Sequence, residues 1–272
     1  MKSNAIEAPW ERIGHFAVRA LCVGVLAFLL LPIVAIVPLS FSSSSFLVYP
    51  VPDWSLRWYR ELVESAEWIR AAQNSFIVAP AATLIATVLG TMAAVGLARV
   101  RFRGKDALLS VLIAPMIVPI VVVGVGTYLF FARFGLTDSY AGLILVHAAL
   151  GTPFVLTTVS ATLQGFDHNL VRASASLGAA PLETFRRVTL PLIAPGVISG
   201  ALFAFATSFD EVVVTLFLAG PAQVTLPRQM FTGIRENITP VIAAVATLLI
   251  VFTTALMLAL EWLRGRRATV AR

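Results

Sequence analysis

Two adjacent carboxylates, Asp210 and Glu211, interrupt a segment that is otherwise apolar. Phe209 precedes them, and the apolar run 212–218 follows. A lone carboxylate in apolar surroundings is costly, so each must face protein, water or a cation. The pair suits the attraction of a cationic solute, and Ser208 beside it completes a candidate substrate pathway. Because neighbouring residues of a helix point about 100° apart, we expect only Asp210 to face that pathway.

The sequence leaves a structural role for the carboxylates open. An internal ion pair, or hydrogen bonds to Thr207, Ser208 or Thr215, would also stabilise them. His147, in another apolar run, presents a similar choice. We expect a neutral side chain hydrogen-bonded to a neighbouring helix, with a role in the pathway or in proton transfer as the alternative.

Motifs of enzymatic chemistry are absent from the sequence. Lys105 follows Gly104 as in a phosphate-binding loop, but Asp106 stands where Ser or Thr is required and Arg99 where the first Gly belongs. Metal-binding Cys and His spacings, a nucleophile elbow and a His-Glu-x-x-His motif do not occur either. We therefore expect no catalytic, cofactor or metal site, so transport powered by ATP would need a separate ATPase.

Composition indicates how these residues are positioned. Of 272 residues, 58% are hydrophobic and 12% charged, and a mean hydropathy of +0.89 indicates a bilayer protein. A helix needs about 20 residues to cross roughly 30 Å of hydrocarbon. Uncharged runs of this length predict an all-α polytopic protein, a single transmembrane domain over residues 1–272, with six spans. These are residues 16–38, 72–98, 107–132, 139–163, 191–218 and 238–262.

Positive charge predicts the orientation of these spans. Fourteen Lys and Arg residues fall in the tails and the even-numbered connections, and six fall on the other side. This bias places both termini and the connection 164–190 in the cytoplasm. The net charge of +6 is then a determinant of topology and requires no nucleic-acid partner.

The connection 164–190 is long and polar for a membrane protein with short loops. Gly178 is a natural helix stop, and Pro181 suits the first turn of a second helix. We expect two short helices around this bend, with an apolar surface able to dock in a partner's groove. Leu170, Ala173 and Leu177 share one face of the first helix, and Leu182, Phe185 and Val188 share one face of the second.

The pattern Ala173-x-x-x-x-Gly178, followed nine residues later by Val188-x-Leu190-Pro191, resembles the cytoplasmic coupling loop of ABC importer permeases. The chain departs from that pattern with Arg172 in place of Glu and Ser174 in place of the second Ala. Three further segments look like the permeases of polyamine importers, namely 55–59, 208–211 and 225–228. The resemblance implies ATPase contacts at Ala173, Leu177, Gly178, Leu182, Phe185, Val188, Leu190 and Pro191.

The resemblance also implies a function and partners. The chain would be a multi-pass permease subunit in a bacterial inner membrane, a transport component rather than an enzyme. Its partners would be a second permease subunit, cytoplasmic ATPase subunits that hold ATP and Mg, and an extracytoplasmic solute-binding protein. The solute would be spermidine or putrescine, although related permeases carry aminophosphonates or ferric ion. A free-standing secondary transporter or channel is the alternative, and it would have no use for the loop 164–190.

Two outer segments and one proline pair complete the expectations. Aromatic and charged residues alternate over 51–75, which predicts short helices lying at the outer membrane interface. Residues 219–240 are too long for a tight turn and predict a small external helix. Pro115 and Pro119 predict a kinked third span and a candidate gate.

Overall fold

The computed structural model describes residues 9–270 apart from Arg101, His168 and Asn237. Lys2, Arg101 and Arg272, which enter the charge count, lie outside the described residues. The described chain is helical between its connections and contains no named strand, so the all-α prediction is confirmed. The helices are α1 Pro9–Ser40, α2 Arg57–Glu64, α3 Ala66–Arg99, α4 Lys105–Ile117, α5 Ile120–Ala132, α6 Tyr140–Gln164, α7 Asn169–Ser176, α8 Pro181–Thr184, α9 Leu190–Phe209, α10 Val213–Leu218, α11 Leu226–Glu236 and α12 Pro240–Val270.

The described residues divide into two compact units, and the first comprises 9–64 and 233–263. In this unit Trp58 is only 3% exposed, and its indole Nε1 donates to the carbonyl of Ser42 at 2.7 Å. The Tyr59 hydroxyl lies 2.7 Å from Ser40 Oγ. Helix α2 confirms a short helix in the segment 51–75. Trp58 packs inside the protein, where its indole N–H has a backbone partner, and the place of this segment at a membrane interface stays a prediction.

The second unit comprises 65–232 and 264–270, and α3, α6 and α9 pack against one another at its centre. Their shared core contains Ala86, Val155 and Ala204, all at most 1% exposed. Small residues allow this close approach, since a Cβ at Gly200 would lie 2.6 Å from the Cα of Val155. The backbones of these helices therefore approach one another closely. Together α3, α6 and α9 position the candidate site.

Two glycines of α3 offer a matched test of this packing. A Cβ at Gly90 would lie 2.6 Å from the Val155 Cβ, whereas a Cβ at Gly96 would meet nothing within 4 Å. We expect Gly90→Ala to destabilise the protein by about 1–3 kcal/mol through overpacking. Gly96→Ala should instead be neutral or stabilising, because alanine favours the helix by roughly 0.5–1 kcal/mol. Thermal unfolding in detergent measures both, and equal melting temperatures for the two variants would contradict the packing.

The predicted third span, 107–132, is not one helix. It consists of α4 and α5, which are bent by 106° at residues 118 and 119. Pro119 causes the break because its ring excludes the preceding residue from helical geometry, and Val118 is accordingly extended at φ −68° and ψ 135°. The kink at this proline pair is confirmed.

Four described helices are long and apolar enough to cross a membrane: 14–40, α3, α6 and 181–209. The bent pair α4 and α5 would count as a fifth if it forms one broken span. The apolar part of α12, Pro240–Leu256, is shorter. The described residues therefore support a multi-pass membrane fold, while six spans with both termini in the cytoplasm stay a prediction.

Candidate functional site

The predicted fifth span, 191–218, is interrupted at the two carboxylates. Helix α9 ends at Phe209, and α10 begins only at Val213. Asp210 keeps one helical bond, from its N–H to the carbonyl of Ala206 at 3.1 Å, and then leaves the helix. The expectation of a continuous helix through Asp210 and Glu211 is therefore wrong, and the 100° argument for choosing between them does not apply.

Glu211 explains how the chain restarts as a helix after the break. Its Oε1 accepts a hydrogen bond from the N–H of Val214 at 2.8 Å, in the first turn of α10. The carboxylate accepts from an N–H that has no partner within the helix, and its negative charge lies at the positive end of the helix dipole. It thus acts as an N-terminal cap does. The hydroxyl of Thr215 also donates to the Glu211 carbonyl at 3.1 Å. Glu211 is half-buried, and its side chain is hydrogen-bonded to the backbone of the next helix.

Asp210 differs from its neighbour in exposure and in partners. Its side chain is exposed, and within the described chain it forms neither a hydrogen bond nor an ion pair. Glu211 has no ion pair among the described residues either. The alternative of an internal ion pair is therefore not realised in this part of the protein, and of the two carboxylates Asp210 is the more exposed and has no partner among the described residues.

His147 on α6 contacts both sides of the break. Its Nδ1 lies 2.9 Å from the hydroxyl of Ser208, and its Nε2 lies 3.1 Å from the hydroxyl of Thr215. The expected hydrogen bonding of His147 to a neighbouring helix is confirmed. Ser208, which we grouped with the carboxylates, is buried and held by this histidine. Sequence reasoning missed the link because it joins residues 61 and 68 positions apart.

Aromatic rings adjoin the carboxylates along α9. The ring of Phe209 stacks on Phe205 at a centroid distance of 5.2 Å and meets the edge of Phe76 on α3 at 5.4 Å. Phe209 is only 6% exposed, so these rings pack the end of α9 against α3 beside the carboxylates.

The connection 164–190 has the bend that its sequence predicts. Helix α7 ends in a left-handed Gly178 with φ +82°. The N–H of Ala179 bonds to the carbonyl of Ser174 at 3.2 Å, and the N–H of Gly178 to that of Ala175 at 3.0 Å. This pair of bonds is a Schellman motif, which favours glycine at the left-handed position. Helix α8 then begins at Pro181 as expected.

The predicted ATPase contacts of this loop differ in exposure. Leu177 at the bend is 89% exposed and Leu182 is 68% exposed. The hydroxyls of Ser174 and Thr184 lie 2.9 Å apart and tie α7 to α8 behind this surface. The remaining residues follow two patterns. Ala173, Gly178 and Pro191 are exposed, whereas Phe185, Val188 and Leu190 are half-buried.

Beyond α8 the chain widens into one π-helical turn, Phe185–Thr189, and continues into α9. The N–H of Leu190 bonds to the carbonyl of Phe185, five residues back. Residues 181–209 therefore form an uninterrupted helical element of 29 residues. It runs from the exposed loop to the carboxylates, roughly 43 Å at about 1.5 Å per residue.

Polar contacts fix the segment that follows α10. Asn74 of α3 donates from Nδ2 to the carbonyls of Ala222 and Val224 at 2.9 and 2.8 Å. The Tyr140 hydroxyl donates to Asn74 Oδ1 at 2.6 Å. The expected small helix in this connection is present as α11. No local sequence pattern predicts that the buried Asn74 of α3 holds the residues just before this helix.

Comparison with known proteins places the chain among transport components. Residues 86–268 match the family described as binding-protein-dependent transport system inner membrane component. The spermidine/putrescine transport system permease protein PotC of Haemophilus influenzae is 35% identical, over 86% of this chain and 90% of its own. The putrescine transport system permease protein PotI of Escherichia coli is 36% identical, over 82% of each chain. A bacterial ABC transporter involved in import of the acidic polysaccharide alginate shares the fold, with a TM-score of 0.74 over 96% of this chain and 98% of its own, at 15% identity.

Proposed function

Because the chain belongs to the family of binding-protein-dependent inner membrane transport components, it is a permease subunit of an ABC importer, and we propose that its solute is a small organic cation of the polyamine class. The observation that carries this proposal is the exposed, unpaired carboxylate of Asp210 at the helix break. The names of the relatives that are 35% and 36% identical support it.

Electrostatics favours a cation over an anion at this site. Two unit charges about 4 Å apart interact by about 1 kcal/mol in water and about 4 kcal/mol at the effective dielectric of a protein surface. A partly desolvated Asp210 therefore attracts an ammonium group and repels a carboxylate or phosphate.

The partners follow from the family. ATP and Mg belong to cytoplasmic ATPase subunits, and the exposed surface around Leu177 and Leu182 is the proposed ATPase contact. A second permease chain completes the pathway, and an extracytoplasmic binding protein delivers the solute. The complex lies in a bacterial inner membrane, with this chain crossing it several times.

The element 181–209 suggests how ATP use reaches the solute. One end lies at the loop that meets the ATPase, and the other end carries Asp210. Because this element is helical throughout, including its π-helical turn, a displacement of one end can be passed along it to the other. Movement of the ATPase subunits would therefore shift the carboxylate directly, which couples hydrolysis to the solute's environment.

Uptake in cells tests the proposed solute class. A strain lacking this chain should lose uptake of radiolabelled spermidine or putrescine, and the restored chain should return it. Excess unlabelled polyamine should compete with the label, while an equal excess of an anion such as sulfate should not. Unchanged polyamine uptake in the deletion strain would reject the proposed solute while leaving the importer family intact.

The proposed topology has its own test with single cysteines. In a Cys22→Ala background, Ser45→Cys and Ala222→Cys should react with an impermeant thiol reagent added to intact cells. Arg103→Cys and Ser176→Cys should react only after the membrane is opened. All four side chains are exposed, so burial cannot account for a difference between them. Labelling of Ser176→Cys in sealed cells would reverse the orientation and remove the ATPase contact.

A further inference from the structure

Proline and glycine do not cause the helix break at Asp210, since residues 201–219 contain neither. The β-branched run 212–215 lowers the local helix propensity but does not by itself set the geometry of the break. Side-chain hydrogen bonds from Glu211 and His147 hold the two sides of the break. Of the two residues, only His147 reaches the break from another helix.

The contacts of His147 span the break in either neutral tautomer. The Thr215 hydroxyl lies 3.1 Å from both the Glu211 carbonyl oxygen and His147 Nε2. His147 Nδ1 lies 2.9 Å from the hydroxyl of Ser208 and 3.2 Å from its carbonyl oxygen, so this nitrogen can accept from the first or donate to the second. The imidazole thus links the end of α9 to the start of α10.

Burial makes this link rigid. His147 is 1% exposed and Thr215 is 0% exposed, so water cannot replace a lost bond at low cost. His147 itself lies on α6, within the second unit that also contains α9 and α10. The position of α6 therefore determines the direction in which the chain leaves α9, and Asp210 lies at that point.

We propose that His147 is a positioning residue for solute passage, which holds the break open and orients the Asp210 carboxylate. This role rests on the proposed function, because it matters only if Asp210 meets the solute. The imidazole does not touch the solute. It acts through Ser208 on one side of Asp210 and through Thr215 on the other.

Three variants divide the link into its parts. Thr215→Val keeps the side-chain shape and removes the hydroxyl that contacts both Nε2 and the Glu211 carbonyl, while His147→Gln can replace Nε2 and His147→Asn can replace Nδ1. Thr152→Val is the matched control, since its hydroxyl bonds only within α6, to the Ala148 carbonyl at 2.7 Å. We expect Thr215→Val to raise the KM for polyamine uptake about tenfold with the maximal rate retained, and His147→Gln to be milder than His147→Leu. Thr152→Val should match the unaltered protein.

A double-mutant cycle with Asp210→Asn separates positioning from general damage. If His147 acts by orienting Asp210, Thr215→Val should add nothing once the carboxylate is gone. Equal effects in both backgrounds would overturn the positioning role, and so would full transport by Thr215→Val and His147→Leu. Loss of the assembled complex in all these variants would overturn it as well, by showing a structural role. Normal uptake by Asp210→Asn alone would also overturn the positioning role, because the carboxylate would then not meet the solute, whereas failure of the proposed solute class itself is shown separately by unchanged polyamine uptake in the deletion strain.

Discussion

Replacing Asp210 by Asn is expected to lower polyamine uptake at least tenfold. The substitution keeps the shape of the side chain and removes its charge, so only the attraction for an ammonium group is lost. An attraction of about 1–4 kcal/mol corresponds to roughly five- to a thousandfold in an equilibrium constant. Initial rates of spermidine uptake in cells with equal amounts of the complex measure the effect. Solute affinity of the binding protein should be unchanged.

Glu211→Gln is the matched control for this prediction. The amide oxygen of Gln can still accept from the N–H of Val214, so α10 should begin at the same residue and uptake should fall much less. An opposite order, with Glu211→Gln impaired and Asp210→Asn normal, would show that the wrong carboxylate was chosen. Loss of assembly in Asp210→Asn would show that the residue supports the fold instead.

Replacing Gly178 by Val is expected to reduce uptake about tenfold or more while the protein remains in the membrane. The backbone at φ +82° costs a β-branched residue on the order of 1–3 kcal/mol. Crowding is not the reason, since a Cβ at this position would meet nothing within 4 Å. The bend between α7 and α8 would change to relieve the strain and move Leu177 away from its partner. Co-purification of the ATPase, measured beside uptake, should fall in parallel.

Gly178→Asn controls for the loss of glycine itself. Asparagine tolerates the left-handed region better than other residues with a Cβ, so this variant should retain most of the uptake. Leu177→Asp tests the apolar contact separately. It places a charge at a position where the native side chain is 89% exposed, so the fold should tolerate it. Normal uptake with normal co-purification in both Gly178→Val and Leu177→Asp would reject the loop as the ATPase contact.

The sequence predicted the structure best where a few neighbouring residues decide the backbone. Gly178 and Pro181 mark a helix end and a helix start by their own conformational limits, and the structure has both where expected. Pro119 similarly predicts a kink. Its size of 106° depends on the tertiary packing of α4 and α5 and could not be predicted from the prolines alone.

The break at the carboxylates could not be predicted in this way. The segment has no proline or glycine to mark the break, and its partner His147 lies 61 positions before Ser208 in the sequence. Trp58 shows the same limit, because its place in an amphipathic segment indicates the membrane interface. Only the folded chain provides the carbonyl of Ser42 that holds its indole inside. Local composition therefore located the candidate site, while long-range hydrogen bonds determine its geometry.

ATP-driven uptake into proteoliposomes tests the central claim most directly. The chain would be reconstituted with its ATPase, its second permease subunit and the solute-loaded binding protein, with ATP and Mg enclosed in the vesicles. The account predicts that radiolabelled spermidine or putrescine accumulates only when ATP is present, and that Asp210→Asn lowers its rate while Glu211→Gln does not. Accumulation of an anionic solute at full rate, with no accumulation of either polyamine, would contradict it.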